Sequence, residues 1–300
     1  MRLLTLCFPT YGQLNPLHLN SRGDRIVLAP DEFHRRLLEL GWEIDVVSIA
    51  EPTPLPLFNS GLPLKTIHDV NIESYDVFWH MFRDPTQPEV LKTLVKFKLN
   101  YHGRPVINRA EGLARHNKRE YLPIFYERGL APKIFADVPK TTIWLEHKSE
   151  ALSKDNTLIS TYAFNNNRGD YVERRGNEKI ITEFIDNAKD GLRSIVRFGY
   201  AFGKGYEGFE YFNPAEIPTF KSGSAKSFAP YSVPIPLRTE IAAVMTAIQC
   251  DVAHIEAIPH GDRLAIIDVN PYPTAAGKTL SIITADLARV LADRFSPRSE

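Results

Sequence analysis

Cysteine is almost missing from this sequence: Cys7 and Cys250 are the only two in 300 residues, each inside a strongly apolar run. That is too few for a disulfide framework or a zinc cluster, and a reducing compartment fits such usage. Net charge is missing as well. Lysine plus arginine (36) balances aspartate plus glutamate (36), which excludes a molecule-wide attraction for nucleic acid or an anionic membrane surface, so any phosphate site must be local. No apolar run approaches the roughly 20 residues that cross a bilayer. Met1 to Thr10 lacks the basic stretch, long apolar run and small-residue cleavage site of a signal peptide, and a soluble cytoplasmic protein is expected. There is neither an internal repeat nor a low-complexity tail.

What is present is an ordinary globular composition, 43% hydrophobic and 24% charged. It can bury a large core in two or three packed subdomains. Arg2 to Phe8 reads as a strand buried on both faces. Asp31 to Leu40 has apolar residues at helical spacing and Gly41 as a stop, and Glu43 to Ile49 is a second strand. Strand, helix, strand predicts a parallel crossover unit, extended by a strand at Tyr75 to His80 and a helix around Pro88 to Leu99. Asn108 with Glu111 three places on reads as a capping box. A helix follows from Lys118 to Arg128, stopped by Gly129 and interrupted by Pro123. From Ala131 to Arg175 short strands alternate with polar stretches, as in a small mobile subdomain.

Strands are predicted at Lys179 to Ile185, Leu192 to Phe202, Val252 to Ile258 and Leu264 to Val269, and helices at Thr239 to Gln249 and Ser281 to Phe295. Asn213 to Leu237, rich in proline, serine and lysine, reads as a long surface loop. Gly203 to Gly208 spells G-x-G-x-x-G, but no helix pattern follows, so a hairpin or substrate-side loop is expected in place of a dinucleotide site.

The segment Asp251 to Pro273 predicts a β-hairpin with its turn at His260-Gly261-Asp262. Alternation puts Glu256 on a face with Val252 and His254, and Asp268 on a face with Ile266 and Asn270. Two carboxylates and an amide converging at strand ends suit Mg²⁺, a hard cation that takes oxygen ligands and substrate phosphates. The bland alternative is a solvated acid and an Asp-x-Asn turn opening. For His254 the bland alternative is a satisfied polar residue on a strand.

An acid followed twelve residues later by Asp268-x-Asn270-x-x-Pro273 resembles the signature of the ATP-grasp ligases, especially the branch similar to glutathione synthetase and the ribosomal protein S6 modification ligase. Tyr75-Asp76-Val77, Val106-Ile107-Asn108, Asn117-Lys118 and Thr182 to Ile185 fall in that family's order. The resemblance implies an α/β (α+β) chain: a small N-terminal α/β domain (1–104), a central ATP-grasp subdomain with a mobile lid (105–180), and a C-terminal subdomain carrying the metal site (181–300). It implies ATP and Mg²⁺ as cofactors, the metal held by Glu256, Asp268 and Asn270. Lys118 matches a lysine that contacts phosphates. Thr182, Glu183, Phe184 and Ile185 match the linker that borders adenine, with Glu183 or Asp186 accepting from ribose. Arg193 and Arg197, on one strand face, match the arginine that stabilises the transferred phosphoryl group, with Arg193 ranked slightly ahead.

The implied activity is ATP-dependent carboxylate–amine ligation through an acyl phosphate. Its substrates would be the carboxylate and amine of an amino acid, a peptide or a related small molecule, without nucleic acid or membrane partners. Two alternatives stand beside it: a degenerate ATP-grasp protein that binds nucleotide or peptide without ligation, and a scaffold whose acidic hairpin is structural. The chain departs from the family at Asn165 to Gly169, where a second lysine and a glycine-rich loop are expected and Arg168 would have to supply the charge. A homodimer stays open.

Overall fold

The computed structural model describes residues 1–7, 29–48, 64–66, 69–81, 101, 103–114, 116, 118–135, 144–148, 163–164, 179–215, 225–271 and 278–296. The expected helix at 88–99 and the loop at 165–169, with Arg168, lie outside them.

The first unit is a five-stranded sheet of β1 (Arg2–Cys7), β2 (Glu43–Ser48), β3 (Leu64–Thr66), β4 (Val77–Met81) and β5 (Val106–Ile107), in the order β3-β2-β1-β4-β5. Every pairing is parallel. Leu3, Leu4 and Leu6 of β1 are fully buried, which is why its run is apolar without alternation. Helix α1 (Ala29–Glu39) makes the crossover and buries Phe33 and Leu37. It ends in the predicted stop: Gly41 has φ +81°, and Trp42 N–H donates to the Leu37 carbonyl at 3.0 Å, the six-to-one bond of a Schellman cap. Because β5 joins this sheet, its last strand reaches 106–107.

The short helix α2 (Ala110–Ala114) and α3 (Lys118–Glu127) follow. A second, four-stranded antiparallel sheet has the order β6-β9-β7-β8, from β6 (Ile134–Phe135), β7 (Trp144–Lys148), β8 (Ala163–Phe164) and β9 (Lys179–Glu183). The third sheet, also antiparallel, runs β12-β11-β10-β13-β14, with β10 (Leu192–Ala201), β11 (Glu207–Pro214), β12 (Ser227–Ser232), β13 (Val252–His260) and β14 (Arg263–Asn270). One face of this sheet packs Val196, Phe198, Ile255 and Ile266 against α3 and against α4 (Ile235–Ala247) through Tyr121, Phe125, Ile241 and Met245. At one end of the other face, Ala201 and Val252 share a core with Leu287 and Leu291 of α5 (Lys278–Phe295), and with Phe33, Leu37 and Trp79 of the first unit.

The expected surface loop at 213–237 is corrected at both of its described ends, 216–224 lying outside the described residues. β11 runs through Asn213, β12 pairs with β11, and α4 begins at Ile235. The prolines that suggested a loop occupy places that tolerate them: Pro230 in an edge strand, Pro234 before the helix and Pro236 in its first turn. Asn108 is corrected too. It has φ +52° and α2 starts beyond it, while its side chain bonds across to the start of β13. The glycines of 203–208 serve the β10–β11 hairpin: Gly203 and Gly205 have φ +78° and +79°. A Cβ on Gly205 would lie 2.9 Å from Leu287 Cδ2, and one on Gly208 would overlap the Arg197 carbonyl oxygen. Among the described residues no helix is long and apolar enough to cross a membrane.

Candidate functional site

The hairpin β13–β14 forms as expected, with one departure that decides which side chains meet. Glu256 pairs with Asp268, but the next pair is Ala257 with Ile266, so the register shifts and Ile267 is extra. Such a bulge puts two residues of one strand opposite one of the other. Ile266 therefore points into the core under α3 and α4, Ile267 packs with Ile195, Tyr211, Ile258 and Ala265 on the opposite side, and Val269 returns to the first core. Alternation alone grouped Asp268 with Ile266; the bulge instead sets Asp268 beside Ile267 and Asn270, on the face that carries Glu256. Without the extra residue Asp268 and Glu256 would not share a face.

β10 brings Arg197 to the same place. It lies opposite Glu256 in the ladder, and its guanidinium contacts the Glu256 carboxylate. From the other side, at the edge of β14, comes α3. Lys118 Nζ is 3.0 Å from Asp268 Oδ1, and Tyr121, three residues on and so on the same helix face, donates its hydroxyl to the same oxygen at 3.2 Å. The Tyr121 oxygen accepts from Val269 N–H at 3.3 Å, His116 Nε2 donates to the Val269 carbonyl at 2.7 Å, and Ile266 N–H donates to the Leu130 carbonyl at 2.7 Å. His116, Tyr121 and Leu130 thus occupy the outer edge of β14.

The result is a compact set of two acids and two cations, with side-chain exposures of 13% for Lys118, 26% for Asp268, 19% for Arg197 and 17% for Glu256. Burial pushes the Glu256 carboxyl above its ordinary range; Arg197 and Lys118 oppose this and the negative Asp268 adds to it. Burial would raise Asp268 too, but Lys118 beside it, helped by the Tyr121 hydroxyl and Arg197, holds it below. The two carboxyls therefore divide their roles, Asp268 the more readily ionised. His254, buried on this strand face opposite Asn270, is held neutral: burial, reinforced by Arg197, lowers it to about 3.

The other predicted residues are spread along the same sheet or outside it. Arg193 lies two strand repeats away, roughly 13 Å along β10 from Arg197. Its Nε is 3.3 Å from Asp186 Oδ1 and its guanidinium stacks 4.8 Å from the Phe184 ring centroid. Ile185 packs against the cluster of Ile195, Ile258 and Ile267. Thr182 is fully buried within β9, and Glu183 is exposed with its N–H already given to the Lys133 carbonyl at 2.8 Å. Asp186 also accepts from Ala188 N–H at 3.0 Å. So Glu256, Asp268, Asn270, Arg197 and Lys118 come together, while Phe184, Ile185 and Arg193 form a second group farther along the sheet.

Sequence reasoning missed three contributors. For Tyr121 the one available signal was its position three residues after Lys118, which does not reveal the distant strand it meets; nothing local marked His116. Asn108 accepts from Asp251 and Val252 N–H at 2.8 and 3.0 Å and donates to the Val252 and Pro271 carbonyls at 2.9 and 3.2 Å, tying together the strand ends on either side of the acids.

The donor set fits Mg²⁺. Glu256 and Asp268 offer oxygens from directly opposed positions, whose Cβ atoms stand about 5 Å apart in such pairs, with the Asn270 amide oxygen two residues beyond. Among the described residues no cluster of three His, Cys, Asp or Glu side chains forms, so a closed zinc-type cage is not what these residues build. They present an open set of hard oxygens, the kind that phosphate and water can complete around a hard cation.

No protein-family profile and no curated protein matches the sequence. Solved structures do match. The chain is similar to the macrocyclase MdnC bound with precursor peptide MdnA from Microcystis aeruginosa MRC (TM-score 0.58, 12% identity, covering 98% of this chain and 100% of that one). It is similar to the ATP-grasp ligase PsnB complexed with a phosphomimetic variant of its minimal precursor, Mg and ADP (TM-score 0.60, 9% identity, 97% and 98%). It is also similar to D-alanine–D-alanine ligase from Bacillus anthracis complexed with ATP (TM-score 0.53, 12% identity, 98% and 99%). With a parallel N-terminal sheet, two antiparallel sheets and near-complete coverage of these enzymes, the chain has the ATP-grasp fold.

Proposed function

We propose that this chain is an ATP-dependent carboxylate–amine ligase acting on an amino acid, a peptide or a related small molecule. The observation that carries the reading is the pairing of two carboxylates with two cations on one sheet face of an ATP-grasp fold. Glu256, Asp268 and Asn270 would hold Mg²⁺, which when bound offsets charge on the β- and γ-phosphates. Among the described residues Lys118 and Arg197 are the cations nearest the phosphates so placed, and Arg197 is better sited than Arg193, which Asp186 and Phe184 retain. Phe184 and Ile185 supply an apolar wall for adenine, with Arg193 stacked beside it. Thr182 and Glu183 contribute backbone groups at the start of that linker, though the Glu183 N–H is taken.

In the chemistry this supports, a substrate carboxylate oxygen attacks the γ-phosphorus, the bridging P–O bond breaks and ADP leaves. An amine then attacks the acyl carbon, expelling phosphate and losing a proton. Arg197 would steady the transferred group, and positioning supplies much of the rate. Three units, with the expected boundaries at 104 and 180 moved so that β5 stays with the first and β9 with the second, and a cytoplasmic setting belong to this proposal. Two of the similar enzymes are bound to precursor peptides, which favours a peptide among the substrate classes. The degenerate-binder reading is separated from this one by ADP release on adding a panel of amino acids and short peptides with Mg-ATP. Release above the no-substrate rate is expected. Titration calorimetry should also show Mg-ATP binding lost in Asp268→Ala, and equal binding by the two proteins would sink the metal assignment.

A further inference from the structure

The two acids that suit a metal are already engaged. Lys118 stands 3.0 Å from Asp268, Arg197 contacts Glu256, and all four side chains are at least about three-quarters buried. The set has no net charge. A bare divalent cation entering here would meet Lys118 and Arg197 at close range and would gain the carboxylates only by displacing cations that have little water to retreat into. Mg-ATP is a different guest: its phosphate oxygens can take over the lysine and the guanidinium at the moment the metal takes the carboxylates. Removing one partner of a buried pair leaves an uncompensated charge, whereas exchanging partners does not.

Resting on the metal assignment above, we infer that Lys118 and Arg197 are resident counterions of the metal ligands that exchange onto the nucleotide, so that the site rejects free divalent metal and accepts metal and nucleotide only together. Lys118 has two opposed roles in this scheme, supporting nucleotide and excluding bare metal. Tyr121 makes the exchange local, because its hydroxyl stays on Asp268 and its oxygen on Val269 N–H while the lysine departs. The coupling is reciprocal: nucleotide must raise metal affinity by the factor by which metal raises nucleotide affinity.

Free Mn²⁺ titrated into the full-length protein and followed by its EPR signal, with and without ATP, tests this. In Lys118→Met, which keeps the apolar stem, Mn²⁺ alone should bind roughly tenfold tighter than in the wild type while Mg-ATP binds more weakly by calorimetry. Lys118→Arg should restore the wild-type rejection of bare metal. Thermal melting of each variant, with and without Mn²⁺, confirms that the titrated protein is folded, and metal alone should raise the melting temperature only of Lys118→Met. Unchanged or weaker Mn²⁺ binding by folded Lys118→Met, in a wild type that takes Mg-ATP, overturns the exchange and leaves the metal assignment standing. A wild type that binds Mn²⁺ neither alone nor with ATP overturns the assignment itself.

Discussion

Asn108 has one side chain and four bonds. It is fully buried, sits at φ +52°, and satisfies both amide hydrogens and both oxygen lone pairs on the backbone of 251–252 and 271. Asparagine is the ordinary non-glycine choice for that backbone, and its amide matches two donors and two acceptors at once. Replacing it with alanine strands two N–H groups and two carbonyls away from water. Asn108→Ala should cost about 3–5 kcal/mol in urea unfolding, and Asn108→Asp nearly as much because its carboxylate cannot donate. The sequence marked Asn108 as special but for the wrong reason: a residue that caps a helix and one that bridges 143 positions along the chain look alike when only neighbours are visible. Glu256, Asp268 and Asn270 were legible because they lie in one short hairpin, and Tyr121 went unseen because its purpose depends on a strand 147 residues away.

Helix ends show which local signals were readable. α1 and α3 both close on a glycine at positive φ, Gly41 and Gly129, and both stops were visible. α4 closes with the same geometry, Cys250 N–H donating to the Met245 carbonyl at 2.9 Å, yet the residue at φ +55° is Gln249. A side chain there costs about 1 kcal/mol relative to glycine, so Gln249→Gly should raise stability by up to about 1 kcal/mol. The neighbouring Gly112 has the opposite prospect. A Cβ on it would run into the Gln249 carbonyl oxygen, and Gly112→Ala should lower stability by roughly 2 kcal/mol or more on the same denaturation curve, since backbone has to give way. The bulge at Ile267 was unreadable for a related reason. A strand of Leu264, Ala265, Ile266 and Ile267 is apolar on both faces, so its pattern cannot reveal where alternation slips.

At the scale of the molecule, α5 joins units that a linear reading separates. Leu287, fully buried, fills the space left by Gly199 and Gly205 on the third sheet and belongs to the same core as Phe33, Leu37 and Trp79 of the first unit. Leu287→Ala should cost about 3 kcal/mol and should move the unfolding midpoints seen by tryptophan fluorescence and by far-UV circular dichroism together. Separate midpoints would show that the shared core does not couple the two sheets. Several strands, the parallel crossover and the β13–β14 hairpin followed from the apolar runs, but the order of strands in each sheet did not, and a helix shared between two sheets has no periodic signature, since every apolar stripe looks the same whichever partner covers it.

The covered edge of β14 has a meaning for substrate recognition. Peptide-binding proteins often recruit their ligand as one more strand, reading its backbone through a free sheet edge. Beside Asp268 that edge is taken by the chain's own Leu130 carbonyl, Tyr121 hydroxyl and His116 ring. A peptide meeting the proposed metal face would therefore not be held at this edge by strand addition. Under the proposed function it would have to be recognised there through side chains or a terminal group, which would tie selectivity at this spot to the peptide's composition rather than to its extended shape.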